Sequence, residues 1–216
     1  MKAPLQELLW AVSLGGLLLP TLNAGGEILF YPLARAFGSP PESELARCRT
    51  AFQGLQSHLS TSRVLVEPVF FIDGHKRGWR PDLAAEICQE ARPRTAATLL
   101  VSATKPDVGP ATLGHNQLRY LWHRAADYSG WVKAAHPAAD YVCCAEIWGH
   151  DGNVAAIHVY VFDPSGQVAY CRLFNSHHFG DNLPLAGADA VRLIVKSFLE
   201  DLQRDPKTRF PPYGVG

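Results

Sequence analysis

The 216-residue chain is 47% hydrophobic, enough for a packed core in one domain or two small ones. Its 20 Lys+Arg balance 20 Asp+Glu, and a net charge of zero argues against a nucleic-acid binder, whose affinity rests on a basic surface. The same balance gives no reason to expect an acidic membrane surface as partner, and no repeat, low-complexity tract or run of like charges interrupts the chain.

At the N-terminus Lys2 precedes an apolar run, Leu8–Leu19, which Pro20 breaks; Leu22-Asn23-Ala24 then offers a small residue before Gly25. This is the shape of a secretory signal peptide over residues 1–24, too short for a comfortable membrane span. An uncleaved membrane anchor and an ordinary buried helix are the alternatives. No cysteine follows the run, so bacterial lipoprotein processing is not expected. Export is the expectation, with no membrane span left after cleavage.

Residues 25–59 read as a connector followed by a helix. Ser39-Pro40-Pro41-Glu42 reads as a capping box with proline at the first helical position. Leu45, Cys48, Phe52, Leu55 and Leu59 then form one apolar stripe. Val64–Asp73 is a strand restricted at Pro68, Gly74–Arg80 a loop, and Pro81–Ala91 a short helix on Leu83, Ile87 and Ala91. Thr98–Thr104 is a compact apolar strand, and Lys105–Gln117, with two prolines and two glycines, a long loop. Leu118, Leu121, Trp122, Ala125 and Val132 outline a helix that Pro137 ends.

Tyr141–Trp148, Val154–Asp163 and Gln167–Ser176 are β-rich runs separated by turn residues, hence three antiparallel strands. In the second hairpin Ser176 should fall opposite Val154. Val191, Ile194, Val195, Phe198 and Leu202 make a last amphipathic helix, and 204–216 is a loose tail. The fold class expected is α/β (α+β): a single mixed sheet with a C-terminal antiparallel meander and helices packed on it, over residues 60–203.

Five cysteines are an odd number, with no C-x-x-C pair. Cys48 and Cys88 fall on apolar helix faces; Cys143 and Cys144 are adjacent in one strand, point to opposite faces and should not bridge.

Certain segments resemble a known domain. Val64-Leu65-Val66-Glu67-Pro68 is similar to its first strand, and Pro81-Asp82-Leu83-Ala84-Ala85-Glu86-Ile87 to its first sheet-covering helix. Ala139-Asp140-Tyr141-Val142 resembles its lead-in to the central strand, and Val161–Val168 its Asp-x-x-Gly hairpin. The domain is the small α/β unit of periplasmic lipoprotein activators of penicillin-binding proteins, the curli-secretion lipoprotein and the N-terminal part of the Tol-system propeller protein. The resemblance implies an exported, non-enzymatic domain that binds a protein or cell-envelope partner.

Two patches carry chemistry. His150, His177, His178 and Asp181 should gather at one sheet end, where imidazoles and a carboxylate could hold zinc or a similar divalent metal. Asp151, Asn175 and Ser176 would make the same end a polar binding surface. The bland alternative is turn stabilisation by Asp151 and solvated histidines. Lys76, Arg77 and Trp79 form a second patch able to grip an anion and stack on a flat partner, unless Trp79 folds back on the core.

The expected reading is therefore a binding domain without cofactor, with a metal-binding protein or metal-dependent hydrolase as the alternative. Ser176 or Cys144 as a nucleophile has no local support: there is no Gly-x-Ser-x-Gly elbow and no papain-like signature. Glu67 and Glu146, each inside an apolar strand, could form a buried acid pair, but such residues more often face the open side of a sheet or an edge.

Overall fold

A computed structural model describes residues 40–74, 76–109, 117–135, 137–150, 153–175 and 187–205. In chain order they form α1 (Glu42–His58), β1 (Arg63–Val66), β2 (Val69–Asp73), β3 (Lys76–Arg80) and α2 (Pro81–Ala91). There follow β4 (Thr98–Val101), α3 (Gln117–Ala135), β5 (Tyr141–His150), β6 (Asn153–Phe162), β7 (Val168–Asn175) and α4 (Gly187–Asp201). The strands make one mixed sheet, as the sequence leads one to expect, with seven strands where the sequence reads as five.

β5 is the axis of that sheet. On one side β1 and β2 run parallel to it in succession, Val64 beside Tyr141 and Phe70 beside Glu146. On the other side β6 and β7 complete the meander. β4 is the outer neighbour of β1, in parallel, and β3 that of β2, antiparallel. The second hairpin pairs Ala156 with Asn175 and Val161 with Tyr170, one residue from the register anticipated, with a shift between Val161 and Phe162. Gly166 closes its turn at φ 75°, and a side chain there would meet the Ser129 carbonyl oxygen at 2.6 Å, so glycine alone fits.

Three expectations are corrected. Val64–Asp73 is two strands, because Pro68 lacks the N–H that a continuous ladder needs. Gly74–Arg80 is largely strand: Gly74 at φ 57° turns the chain, and β3 pairs with β2 all along, Trp79 beside Phe70. The capping box is not realised. Helix α1 starts after Pro41, whose carbonyl accepts the Glu44 and Leu45 amides, and no side chain caps it; proline supplies the fixed φ from outside the first turn.

The sheet separates two apolar layers. On one face Val64, Val66, Cys143, Ile157, Val159 and Val161 pack under α2 and α4, with Phe52, Leu55 and Leu59 of α1 joining the same core. On the other face Val142, Cys144, Tyr160, Phe162, Cys171 and Leu173 pack under α3, which contributes Leu121, Ala125, Tyr128 and Val132. The alternation of β5 thus sends Cys143 and Cys144 to opposite layers, and all five cysteines are buried and free. Asp201, at the end of α4, accepts from Tyr170 at 3.0 Å and pairs with Arg172, which ties the last helix to β7.

Candidate functional site

The α3 face of the sheet encloses a carboxylate. Glu146 of β5 and His158 of β6 are cross-strand partners, both with 0% exposure. Directly above them α3 presents Tyr120, Arg124 and Tyr128, four residues apart and therefore on one helical face. Glu146 Oε1 accepts from Arg124 Nε at 2.8 Å and the Tyr128 hydroxyl at 3.1 Å. Its Oε2 accepts from the Tyr120 hydroxyl at 2.9 Å and Trp148 Nε1 at 3.4 Å, and His158 Nδ1 lies 3.3 Å away. Arg124 reaches on to the Gly109 carbonyl at 3.0 Å and Asp127 at 3.2 Å. The rings close around the pair, Tyr120 at 5.1 Å and Trp148 at 6.2 Å from the His158 ring centre.

The electrostatics follow from that donor set. Burial would push the Glu146 acid up, but the hydrogen bond and pull of the His158 ring, with Arg124, outweigh it and hold the carboxyl down at about 2. Burial and the Glu146 charge push the Tyr120 and Tyr128 hydroxyls up, so both stay protonated donors. Sequence reasoning missed this centre. The legible signal was Tyr120-x-x-x-Arg124-x-x-x-Tyr128 on a helix facing strands that carry a glutamate and a histidine.

Neither Glu67 nor Glu146 faces an open side, which corrects that expectation. Strands on both sides of β5 and a helix above leave Glu146 no solvent. Glu67 sits at the break between β1 and β2, its amide bonded to the Cys143 carbonyl at 2.9 Å. It is 1% exposed, and Oε2 has no hydrogen-bond partner. Burial pushes this acid up to about 7, against the opposing effect of the Ser102 side chain.

Register brings several sequence-predicted residues to one end of the sheet. Asp73 pairs with Gly149, and the Gly74 amide bonds to the Gly149 carbonyl at 3.2 Å, so the β2–β3 and β5–β6 turns lie side by side. A side chain at Gly149 would meet the Asn153 carbonyl oxygen at 2.8 Å, so glycine lets β5 and β6 approach closely beside the register shift at Trp148 and Gly149. β7 ends at Asn175 toward the same end. Lys76 and Arg77 are exposed there, whereas Trp79 is half-buried against Phe70, ring centres 5.0 Å apart.

His150 closes β5 opposite Asn153. The side chains of His150 and Asn175 lie outside the described residues, as do Asp151, Ser176, His177, His178 and Asp181. Among the described residues no group of three or more His, Cys, Asp or Glu is arranged to hold a metal ion. Cys144 is sealed in the α3 layer, and burial pushes its thiol well above the ordinary value, away from the thiolate a nucleophile needs.

Among the described residues no helix is long and apolar enough to cross a membrane. No family model matches the chain, and no curated protein matches it. Among solved structures, the C-terminal domain of LpoB from Salmonella enterica is similar at 15% identity, over 59% of this chain and 96% of that one, with a TM-score of 0.32.

Proposed function

We propose that this chain is an exported, non-enzymatic α/β domain that binds a protein or cell-envelope partner through the turns at one end of its sheet. The observation that supports the reading is the convergence of the β2–β3 turn, the β5–β6 turn and the end of β7, with Lys76 and Arg77 exposed. Loops held on a rigid sheet are where binding residues concentrate. The buried centre favours the same reading. A carboxylate that accepts from donors on both oxygens and has no solvent path is a scaffold group, since general acid–base work needs a reachable proton. In this reading His150, Asp151, Asn175, Ser176, His177 and His178 complete the binding end.

A photo-crosslinking residue placed at Lys76, in the full-length chain expressed in its own cell, tests the idea. The same residue at Ser165, exposed in the turn at the opposite sheet end, is the control. A discrete adduct from Lys76 and none from Ser165 is the expected result. Adducts from neither, or equally from both, would contradict it. Elemental analysis of the same protein with and without His177→Ala and His178→Ala tests the metal alternative: stoichiometric zinc lost in the double variant would favour that reading instead.

A further inference from the structure

The flank of the sheet opposite β7 ends in β4, which among the described residues pairs on one side only. Its ladder to β1 runs from Arg63 beside Thr98 to Val66 beside Val101, and among the described residues no strand pairs with its other side. The Thr98 amide bonds to the Ser62 carbonyl and the Ser102 amide to the Val66 carbonyl, each at 2.9 Å. In a parallel ladder alternate residues turn their N–H and C=O to the same neighbour. Thr98, Leu100 and Ser102 therefore serve β1, and the N–H and C=O groups of Leu99 and Val101 point outward.

Edge strands are ordinarily blunted by a charge, a proline, a bulge or a cover. β4 is Thr-Leu-Leu-Val and carries none of the first three. Val101 is 39% exposed, the most exposed large apolar residue among those described. Leu99, on the same face as Val101, packs against the α2 and α4 layer. A neighbour added here would gain backbone hydrogen bonds and an apolar shelf together.

We propose that β4 is a docking edge for an extended segment of a partner protein, one with alternating apolar residues and acidic flanks. Backbone geometry sets the extended conformation, because only a strand offers N–H and C=O groups at the spacing that Leu99 and Val101 leave open. Charge sets the flanks. Exposed Arg92 and Arg94 come just before β4 and exposed Lys105 just after it, while Arg94 also pairs with Glu90 and Asp107 follows Lys105. A second copy of this chain fits less well. Two β4 edges paired antiparallel would bring Arg92 and Arg94 of one copy toward Lys105 of the other, like charge against like. The inference stands on a different element from the loop-bearing end, so either can fail alone.

The test uses the full-length chain, labelled with 15N, and a blocked heptapeptide of alternating valine and threonine with a glutamate at each end. Peptide binding at sub-millimolar concentration should shift and protect the Leu99 and Val101 amides. The same peptide with lysine ends should bind at least several-fold more weakly. Val101→Pro removes an N–H that the fold does not use, and proline is tolerated on edge strands, so this variant should keep the spectrum of the rest of the sheet and lose at least tenfold in affinity. Val101→Thr, which keeps the N–H, should bind within about threefold of the parent. The proposal is overturned if these amides are already protected in dilute protein, if their protection rises with protein concentration alone, or if millimolar peptide leaves them unmoved.

Discussion

Glu146 and Glu67 are both buried carboxylates and carry different chemistry. Glu146 lies inside β5 and Glu67 at the break between β1 and β2, at 0% and 1% exposure. Glu146 has donors from α3 and β5 on both oxygens with the His158 ring of β6 beside it, and its acid is held down at about 2. Glu67 leaves one oxygen unpartnered, and its acid is pushed up to about 7. Burial is the same; the donor set differs. A buried carboxylate is held as a charge where the fold supplies donors and keeps its proton to higher pH where it does not.

The largest consequence concerns removal of the satisfied charge. Glu146→Ala leaves Arg124 buried with only exposed Asp127 and the Gly109 carbonyl, and strands two tyrosine hydroxyls. The expected loss is about 3–5 kcal/mol, the cost of breaking a buried ion pair from one side. Urea denaturation read by tryptophan fluorescence measures it. A loss below about 1 kcal/mol would show that the centre contributes little.

The pH dependence separates the two carboxylates by sign. Glu146 has a folded value below its ordinary 4.5, so its stabilisation is complete above 4.5 and is lost as pH falls toward 2. Glu67 has a folded value above 4.5, so the native state holds its proton more tightly and stability falls as pH rises from 4.5 through 7. Glu67→Gln should erase that second slope and be the more stable protein at pH 8 by about 1–3 kcal/mol, the cost of an unpaired buried polar group. Unfolding curves across pH 4 to pH 8 for both proteins decide the point; parallel profiles would contradict it.

A finer cut tests whether the donors share the work. Tyr128→Phe removes one donor to Oε1 while Arg124 keeps the other. The expected loss is about 1.5–3 kcal/mol for a hydrogen bond to a charged group, and the Glu146 acid should move upward. Tyr120→Phe does the same on Oε2, where Trp148 and His158 remain.

The contrast also marks what the sequence could convey. The meander was legible because β-branched runs alternate with turn residues, and the hairpin lengths set its register to within one residue. Helix α4 was legible because Val191, Ile194 and Val195 repeat at helical spacing. β3 was not, since Lys-Arg-Gly-Trp-Arg lacks a β pattern; pairing with β2 and the packing of Trp79 on Phe70 make it a strand. Local pattern shows that Glu146 stands in an apolar strand. It does not show that α3 crosses above it, because the 117–135 helix reaches that strand only through tertiary packing. The loop-bearing end was anticipated in part: the end of β7 runs toward the β5–β6 end of the sheet as hairpin register requires, whereas the Lys76–Arg77 segment, read as a separate patch, joins it only through the pairing of β2 with β5, and the histidines lie outside the described residues.

The central claim is that Glu146 is a permanent, solvent-sealed charge that builds the scaffold, in contrast to Glu67. Side-chain carboxyl 13C shifts in protein labelled at glutamate, assigned with Glu146→Gln and Glu67→Gln, test it most directly. The account predicts that the Glu146 signal keeps its carboxylate position down to about pH 3 and that the Glu67 signal titrates near 7. Two signals that both titrate near the ordinary 4.5 would contradict it.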